Sequence, residues 1–329
     1  YGNERAIRSA CERDSATRER RPRWQNLVRT RIVQHLAAGG MARVYIAQQD
    51  PLRRNVALKL LHREYCMNEA MAKRFYREAL AISQLAHPNT IKVFDFGRTE
   101  DGNFFIAMEL LDGESLRVRL QNVGMMHAEQ AIPIALQVAR SLNEAHKKGI
   151  VHRDLKPDNI FLTSVERDFV KVLDFGIAAF READERMSKL TQEGAVPGTP
   201  EYMSPEQSSG QPLDGRSDLY ALGVVLFEML SGRPPFAEAK FLATLLKHIQ
   251  EPPPPLPQGV PTPVAAFVRE RALAKKPDQR PDDAERFVEE LEDAALLAGL
   301  RLERGSRGGS LAREKELQAL RAELEEALA

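Results

Sequence analysis

The sequence predicts an α+β chain built in two parts, a small five-stranded antiparallel sheet with one helix and then a larger, mainly helical region. Three observations carry that expectation. Residues Thr30–Leu61 and Ile91–Leu110 read as alternating, β-branched runs separated by turn residues. Beyond Gly113 the apolar spacing turns helical. Within the helical part, His152–Gly176 reads HRDLKPDNIFLTSVERDFVKVLDFG, where Ile160–Leu162 and Val170–Leu173 form a short apolar hairpin with polar residues Thr163–Asp168 at its tip.

In chain order, RIVQHL, RVYIAQQ and NVALKLL predict three antiparallel strands, with AAGGMA (Ala37–Ala42) as the tight turn between the first two. Lys59 in VALK is flanked by Leu58 and Leu60. A lysine pointing inward from an apolar strand needs an anionic partner. The helix predicted over 69–86 has an apolar stripe of Phe75, Ala79, Ile82 and Leu85, and Glu78 falls on or beside it. Glu78 is therefore the candidate partner of Lys59. HPN at 87–89 ends that helix, and Ile91–Phe96 and Phe104–Leu110 complete the sheet across the turn Glu100–Asn103.

Helices follow over Ser115–Gln121, Ala128–Lys148, 263–275 and 282–298, and DLYALGVVLFEML (Asp218–Leu230) reads as a buried helix. The proline-rich stretch EPPPPLPQGVP at 251–261 falls inside this region and reads as a rigid loop rather than a linker. Residues 1–29 form an arginine-rich arm whose acidic Glu4, Glu12, Asp14 and Glu19 favour a solvated segment over a nucleic-acid-binding tail. After about residue 301, ERGSRGGS is a flexible break. LAREKELQALRAELEEALA then places Leu317, Leu320, Leu324 and Leu328 on one stripe, the start of a coiled coil or helical segment and a candidate for self-association.

Bulk properties narrow the function. Lysine plus arginine number 47 and aspartate plus glutamate 47, so no global field draws the chain to nucleic acid or membrane. Cys11 and Cys66 match no metal spacing and fit a reduced, cytoplasmic setting. The longest apolar run, Leu219–Leu230, is too short to span a bilayer and contains Glu228, so no membrane segment is expected in this chain. A start at Tyr1, with no signal-peptide pattern, suits a piece of a longer protein, leaving open a membrane anchor beyond Ala329. The chemistry concentrates in the hairpin. A hairpin of that length brings its ends together, which places Asp154, Asn159 and Asp174 around one volume. Three hard oxygen donors suit Mg²⁺ arriving with substrate phosphates.

HRDLKPDN followed by DFG resembles the catalytic-loop and metal-loop pair of protein kinases. The GGM loop and the wording YMSPEQ resemble the bacterial serine/threonine kinases related to the eukaryotic ones (Hanks type), and the likeness covers about residues 30–298. It implies a bilobal protein-kinase fold over about 30–300, with a small lobe at about 30–110 and a large lobe at about 114–300. It also implies transfer of the ATP γ-phosphoryl group to Ser/Thr hydroxyls of proteins, with Mg²⁺ (Mn²⁺ as an alternative) as the metal.

By the same resemblance Asp154 is the catalytic acceptor of the hydroxyl proton, Lys156 offsets charge, Asn159 and Asp174 hold metal, and Lys59 with Glu78 positions the phosphates. The family's G-x-G-x-x-G is only partly present: Ala37 and Ala42 replace its first and third glycines, Gly39 is kept and Gly40 is extra. This puts ATP affinity in doubt more than ATP binding. Met108, Glu109 and Leu111 resemble the hinge that meets adenine, with Val44 and Ala57 above the ring and Phe161 below. Ile82, Val93, His152 and Phe175 form a packing stack, which makes His152 a spacer rather than a base. Thr199 is a structural hydroxyl near Asp154 and Lys156. Ser188 and Thr191 are phosphorylation candidates, and Arg153 is the residue that pairs with such a phosphate. IAAF after DFG lacks the second basic residue many kinases carry there. Glu206 and Arg280 match a buried ion pair, and Asp218 braces the catalytic loop. Two other readings compete. A small-molecule phosphotransferase shares the two aspartates and the asparagine but not the SPE segment or the Arg280 motif. A pseudokinase or scaffold gains only from Ala37 and Ala42.

Overall fold

The computed structural model describes residues 30–38, 42–50, 53–61, 79–99, 102–165, 168–175 and 199–301. The chain divides into two compact units, Tyr1–Lys73 with Val93–Leu110 and Arg74–Lys92 with Leu111–Ala329. The N-terminal arm, the C-terminal leucine stripe, Gly39, Gly40, Phe75, Glu78, Ser188 and Thr191 lie outside the described residues.

In the first unit the alternating runs become a five-stranded antiparallel sheet, β1 (Thr30–Ala38), β2 (Ala42–Gln49), β3 (Arg54–Leu61), β4 (Val93–Arg98) and β5 (Phe104–Glu109), in the order β1-β2-β3-β5-β4. Register sorts its side chains. Ala37 pairs with Val44, Val44 with Lys59 and Ala57 with Met108. Directly paired residues share a face, as do positions two apart along a strand. One face therefore carries Ala37, Val44, Ala57, Lys59 and Met108. The other carries Ala47, Val56, Leu58, Leu60 and Ala107, packed with Ile32, Tyr45, Phe94 and Phe105 as the unit's core.

Two boundaries differ from the sequence reading. Ala37 and Ala42 are strand residues rather than turn residues, and neither adopts a positive φ. An alanine Cβ costs nothing in extended backbone, so the strands run to within a few residues of each other. The strand expected from Ile91 begins instead at Val93. Ile91 donates its N–H to the Val172 carbonyl at 3.0 Å, and Thr90 forms a parallel bridge to Val172, which ties both residues to the second unit.

The second unit opens with the described end of the predicted helix, 79–83, whose Ala79 and Ile82 are buried together with Leu85. This end is held by the helical unit. The Glu144 carboxylate accepts the backbone N–H of Ala86 (3.0 Å) and of His87 (2.8 Å), and the Asn89 amide donates to the Val170 carbonyl at 2.8 Å.

The principal helices are α1 (Leu116–Val123), α2 (Ala128–Lys147), a short α3 (Pro205–Ser208), α4 (Gly215–Ser231), α5 (Phe241–Gln250), α6 (Thr262–Ala266) and α7 (Ala284–Leu297). Every residue of α4 from Ser217 to Leu230 is buried, as a helix apolar on all sides requires. It packs on α2. The helix expected over 263–275 ends sooner: α6 passes into a π-helical turn, Phe267–Ala272, and stops at Leu273. Between α5 and α6 the proline-rich stretch has no regular element beyond a turn, and Arg269 donates to the Pro253 carbonyl at 3.4 Å.

The hairpin forms as β7 (Ile160–Thr163) and β8 (Phe169–Val172), joined by β6 (Gly113–Ser115) into a three-stranded sheet. Gly113 is irreplaceable there. Its φ is 143°, and a Cβ would sit 2.1 Å from the Leu162 carbonyl oxygen.

One packing contact carries a titratable group. His248 of α5 is fully buried with Nδ1 at 3.0 Å from the Tyr220 hydroxyl, and Lys275 Nζ donates to its carbonyl at 2.9 Å. Burial first, and the Lys275 charge second, push the His248 imidazole down from 6.5 to about 3. The adjacent Glu201 backbone offsets this only slightly, and Nε2 makes no hydrogen bond. As pH falls, the unfolded chain binds this proton first. The contribution of His248 is complete above pH 6.5 and declines toward pH 3 by about 1.4 kcal/mol per pH unit. Unfolding free energies from urea titrations between about pH 6.5 and about pH 4.5 should fall at least that steeply, and His248→Phe should reduce the slope by about that amount. An unchanged slope in the variant would assign it to another group.

Candidate active site

The loop 152–159 is shaped by a carboxylate beneath it. Asp218 sits in the first turn of α4, where the helix dipole favours an anion. Its Oδ2 accepts the N–H of His152 at 2.7 Å and lies 2.8 Å from His146 Nε2, while Oδ1 accepts the N–H of Arg153 at 2.8 Å. Burial alone would raise the Asp218 carboxyl. The His146 and His152 contacts more than offset burial and hold it below the ordinary carboxylate range. Gly215 makes room for this arrangement, since a Cβ there would come 2.6 Å from His146 Nδ1.

Arg153 adopts a left-handed φ of 68°. Such backbone is costly outside glycine and persists only when clamped. Asp218 holds its N–H, and the Gln207 amide donates to its carbonyl at 2.7 Å.

From this base the reactive side chains converge. Lys156 Nζ lies 2.9 Å from Asp154 Oδ2 and 3.3 Å from Thr199 Oγ1. The Asn159 amide nitrogen donates to the Asp154 carbonyl at 2.7 Å and approaches Asp154 Oδ2 at 3.4 Å, which leaves its amide oxygen as a ligand. The next residue brought in is Leu173, pinned on both backbone groups: its N–H donates to the Asn159 carbonyl (2.8 Å) and its carbonyl meets His152 Nε2 (2.8 Å). Asp174 follows directly, again with a left-handed φ, 57°.

His152 thus spends Nε2 on Leu173, while Nδ1 accepts the N–H of Asp154 at 3.3 Å. Its ring packs 4.8 Å from the buried Phe175. With both nitrogens engaged by backbone it is a spacer between the two loops. Of the other two stack residues, Ile82 is buried in the same unit and Val93 belongs to the sheet unit.

Among the described residues no three His, Cys, Asp or Glu side chains form a closed metal cage. What the loops offer is an open set of carboxylate and amide oxygens, the kind that shares a hard divalent ion with phosphate oxygens. The donor chemistry fits such an ion at Asn159 and Asp174.

The residues assigned to nucleotide contacts are divided between the two units. Ala37, Val44, Ala57, Lys59 and Met108 share one face of the sheet, and Glu109 pairs with Val56 at the end of β5. Leu111 opens the second unit's continuous stretch, and Phe161 lies in β7 opposite Ser115 and Lys171. Away from the loop, Arg280 and Glu206 form a fully buried two-pronged pair at 2.7 and 2.8 Å. Sequence reasoning missed His146 and Gln207. His146 carried no signal, whereas Ser204 and Gln207 make a capping box at the start of α3, legible as S-x-x-Q.

Comparison with known proteins places the geometry. The curated relatives include serine/threonine-protein kinase pkn3 of Myxococcus xanthus, 44% identical over 268 residues (80% of this chain, 49% of that protein). Another is serine/threonine-protein kinase PknA of Mycobacterium tuberculosis, 38% identical over 282 residues (84% and 63%). The chain thus spans about half the length of the first. Among solved structures, the PknI kinase domain of M. tuberculosis matches with a TM-score of 0.64 at 27% identity, covering 81% of this chain and 96% of that one. The family model described as "Protein kinase domain" matches residues 30–291, and the chain belongs to that family.

Proposed function

We propose that the chain is the catalytic part of a serine/threonine protein kinase, moving the γ-phosphoryl group of ATP to Ser or Thr hydroxyls of protein substrates. The observation that carries this reading is the Asp154–Lys156–Thr199 constellation. It pairs a carboxylate able to accept a hydroxyl proton with a cation able to offset charge on the transferring group. Asp154 orients the acceptor hydroxyl for in-line attack. Asn159 and Asp174 would hold Mg²⁺ (or Mn²⁺), which when bound neutralises phosphate charge. Lys59 and Glu78 are the residues the family resemblance assigns to the α/β-phosphates, and Gly39 and Gly40 those it assigns to the phosphate loop. Val44, Ala57, Met108, Glu109, Leu111 and Phe161 are the residues the same resemblance assigns to adenine.

Regulation follows the same logic. Arg153 has a buried Nε with no hydrogen-bond partner, which supports its reading as the receptor for a phosphate placed on Ser188 or Thr191 by autophosphorylation. Among the described residues no helix is long and apolar enough to cross a membrane. A cytoplasmic setting, self-association through the C-terminal leucine stripe and the lack of a nucleic-acid role remain parts of this proposal.

The purified chain should incorporate labelled phosphate from Mg·ATP into itself or a generic basic protein. Asp154→Asn should lower that rate by about 10²–10⁴, and equal signals from both would sink the enzyme reading. Asp218→Asn tests the brace. A carboxamide accepts with one oxygen only, so one loop N–H loses its partner. The expected cost is about 1–3 kcal/mol in urea unfolding, with a lower kcat and an unchanged KM for ATP. A normal kcat in the folded variant would remove Asp218 from the positioning role.

A further inference from the structure

Gln207, the third residue of α3, divides its side-chain amide between two tasks. Its Oε1 accepts the N–H of Ser204 at 3.2 Å, while the Ser204 hydroxyl accepts the N–H of Gln207 at 3.2 Å, the reciprocal pair that caps α3. Its Nε2 donates to the Arg153 carbonyl at 2.7 Å, across 54 positions of sequence. The cap uses only the side-chain oxygen, and a glutamate at this position caps a helix equally well. Capping therefore gives no reason for the amide nitrogen.

The nitrogen acts on the backbone just before the reactive carboxylate. The carbonyl of Arg153 and the N–H of Asp154 belong to one rigid peptide plane. Gln207 holds the carbonyl end of that plane, and His152 Nδ1 accepts from its N–H end at 3.3 Å. Arg153 enters the plane through a left-handed φ of 68°, which persists only under restraint. The tilt of the plane sets the direction in which the Asp154 side chain leaves the backbone. The segment before α3 reaches the same residue by a second route, because Lys156 Nζ bridges Asp154 Oδ2 (2.9 Å) and Thr199 Oγ1 (3.3 Å). Residues 199–207 thus bear on Asp154 at both its carboxylate and its backbone.

We propose that Gln207 is a positioning residue for the phosphoryl transfer: its amide nitrogen fixes the Arg153–Asp154 peptide plane and so aims the Asp154 carboxylate, a role separate from its capping of α3. This rests on the protein-kinase reading. Two substitutions separate the roles. Gln207→Glu keeps the oxygen that accepts the Ser204 N–H and sets an acceptor against the Arg153 carbonyl where a donor stood. Ser204→Ala does the reverse, removing the hydroxyl of the cap and keeping the amide nitrogen.

Wild type and both variants are compared by urea unfolding, by backbone hydrogen exchange of the loop peptide containing Arg153 and Asp154, and by steady-state kinetics with Mg·ATP and a serine substrate. In Gln207→Glu the loop peptide should exchange at least about tenfold faster. Its kcat should fall at least about tenfold with KM for ATP unchanged. Gln207→Met, of similar length and uncharged, repeats the measurement should the carboxylate prevent folding. Ser204→Ala should lower the urea midpoint and keep both loop exchange and kcat within about twofold of wild type. Unchanged loop exchange or unchanged kcat in a folded Gln207 variant overturns the proposal, as does an equal loss of kcat in Ser204→Ala, which would assign the effect to the cap. The exchange arm needs no catalysis. A wild type that phosphorylates nothing would therefore refute the kinase reading, while loop exchange alone decides whether Gln207 holds the peptide plane.

Discussion

The carboxylate of Asp218 is the interaction on which the reactive loop depends. It is a buried anion supplied with three donors, two of them consecutive backbone N–H groups of the loop it supports. Both N–H groups flanking the His152 Cα are held on this one carboxylate, and the next residue, Arg153, takes its left-handed conformation. That twist directs the chain so that Asp154, Lys156 and Asn159 face one another. Without the anion, the strain at Arg153 and two buried N–H groups would stand uncompensated. The loop's shape is thus imposed by the helical unit rather than by the loop's own residues.

What could be read in advance follows a physical pattern. The sheet was legible because its strands alternate, and Lys59 stood out because a charge on such a strand is anomalous. The hairpin of β7 and β8 was legible for the same reason, and with it the meeting of Asp154, Asn159 and the segment leading to Asp174. Short elements were not. β6 is three residues long and exists because Gly113 lets its backbone approach β7, which leaves no periodic trace. Ile91 looked like strand and is paired, but with Val172 rather than with β5. His146 supports the site from the far end of α2 by a contact that no local pattern encodes.

Glycine was the least reliable guide. The family's phosphate-loop glycines are alanines at 37 and 42, yet both alanines sit in ordinary extended strand, so the substitution imposes no backbone strain there. The left-handed conformations that matter occur at Arg153 and Asp174, residues whose Cβ makes that backbone expensive. Two of the four described non-glycine residues with positive φ, Arg153 and Asp174, thus lie in the loops of the candidate site, where fixed geometry has most value for orienting a reaction.

The buried pair Glu206–Arg280 shows how that strain is held from a distance. Replacing a buried ion pair with apolar residues is often neutral or stabilising, so its presence is weak evidence of added stability. Its connections are more informative. Arg280 also donates to the carbonyls of Ala274, Lys275 and Arg216, and Ser217 donates to Glu206. Every prong is matched, and burial of Glu206 is outweighed by Arg280, which keeps its carboxyl low and charged. The pair therefore locks α3 against α4 and the segment before α7. Gln207, the neighbour of Glu206 on α3, is the donor that closes on the Arg153 carbonyl. Asp218, in the first turn of α4, closes on the Arg153 N–H. Both clamps on the strained residue thus depend on elements that Arg280 binds together, which makes a residue more than a hundred positions downstream a determinant of catalytic-loop geometry.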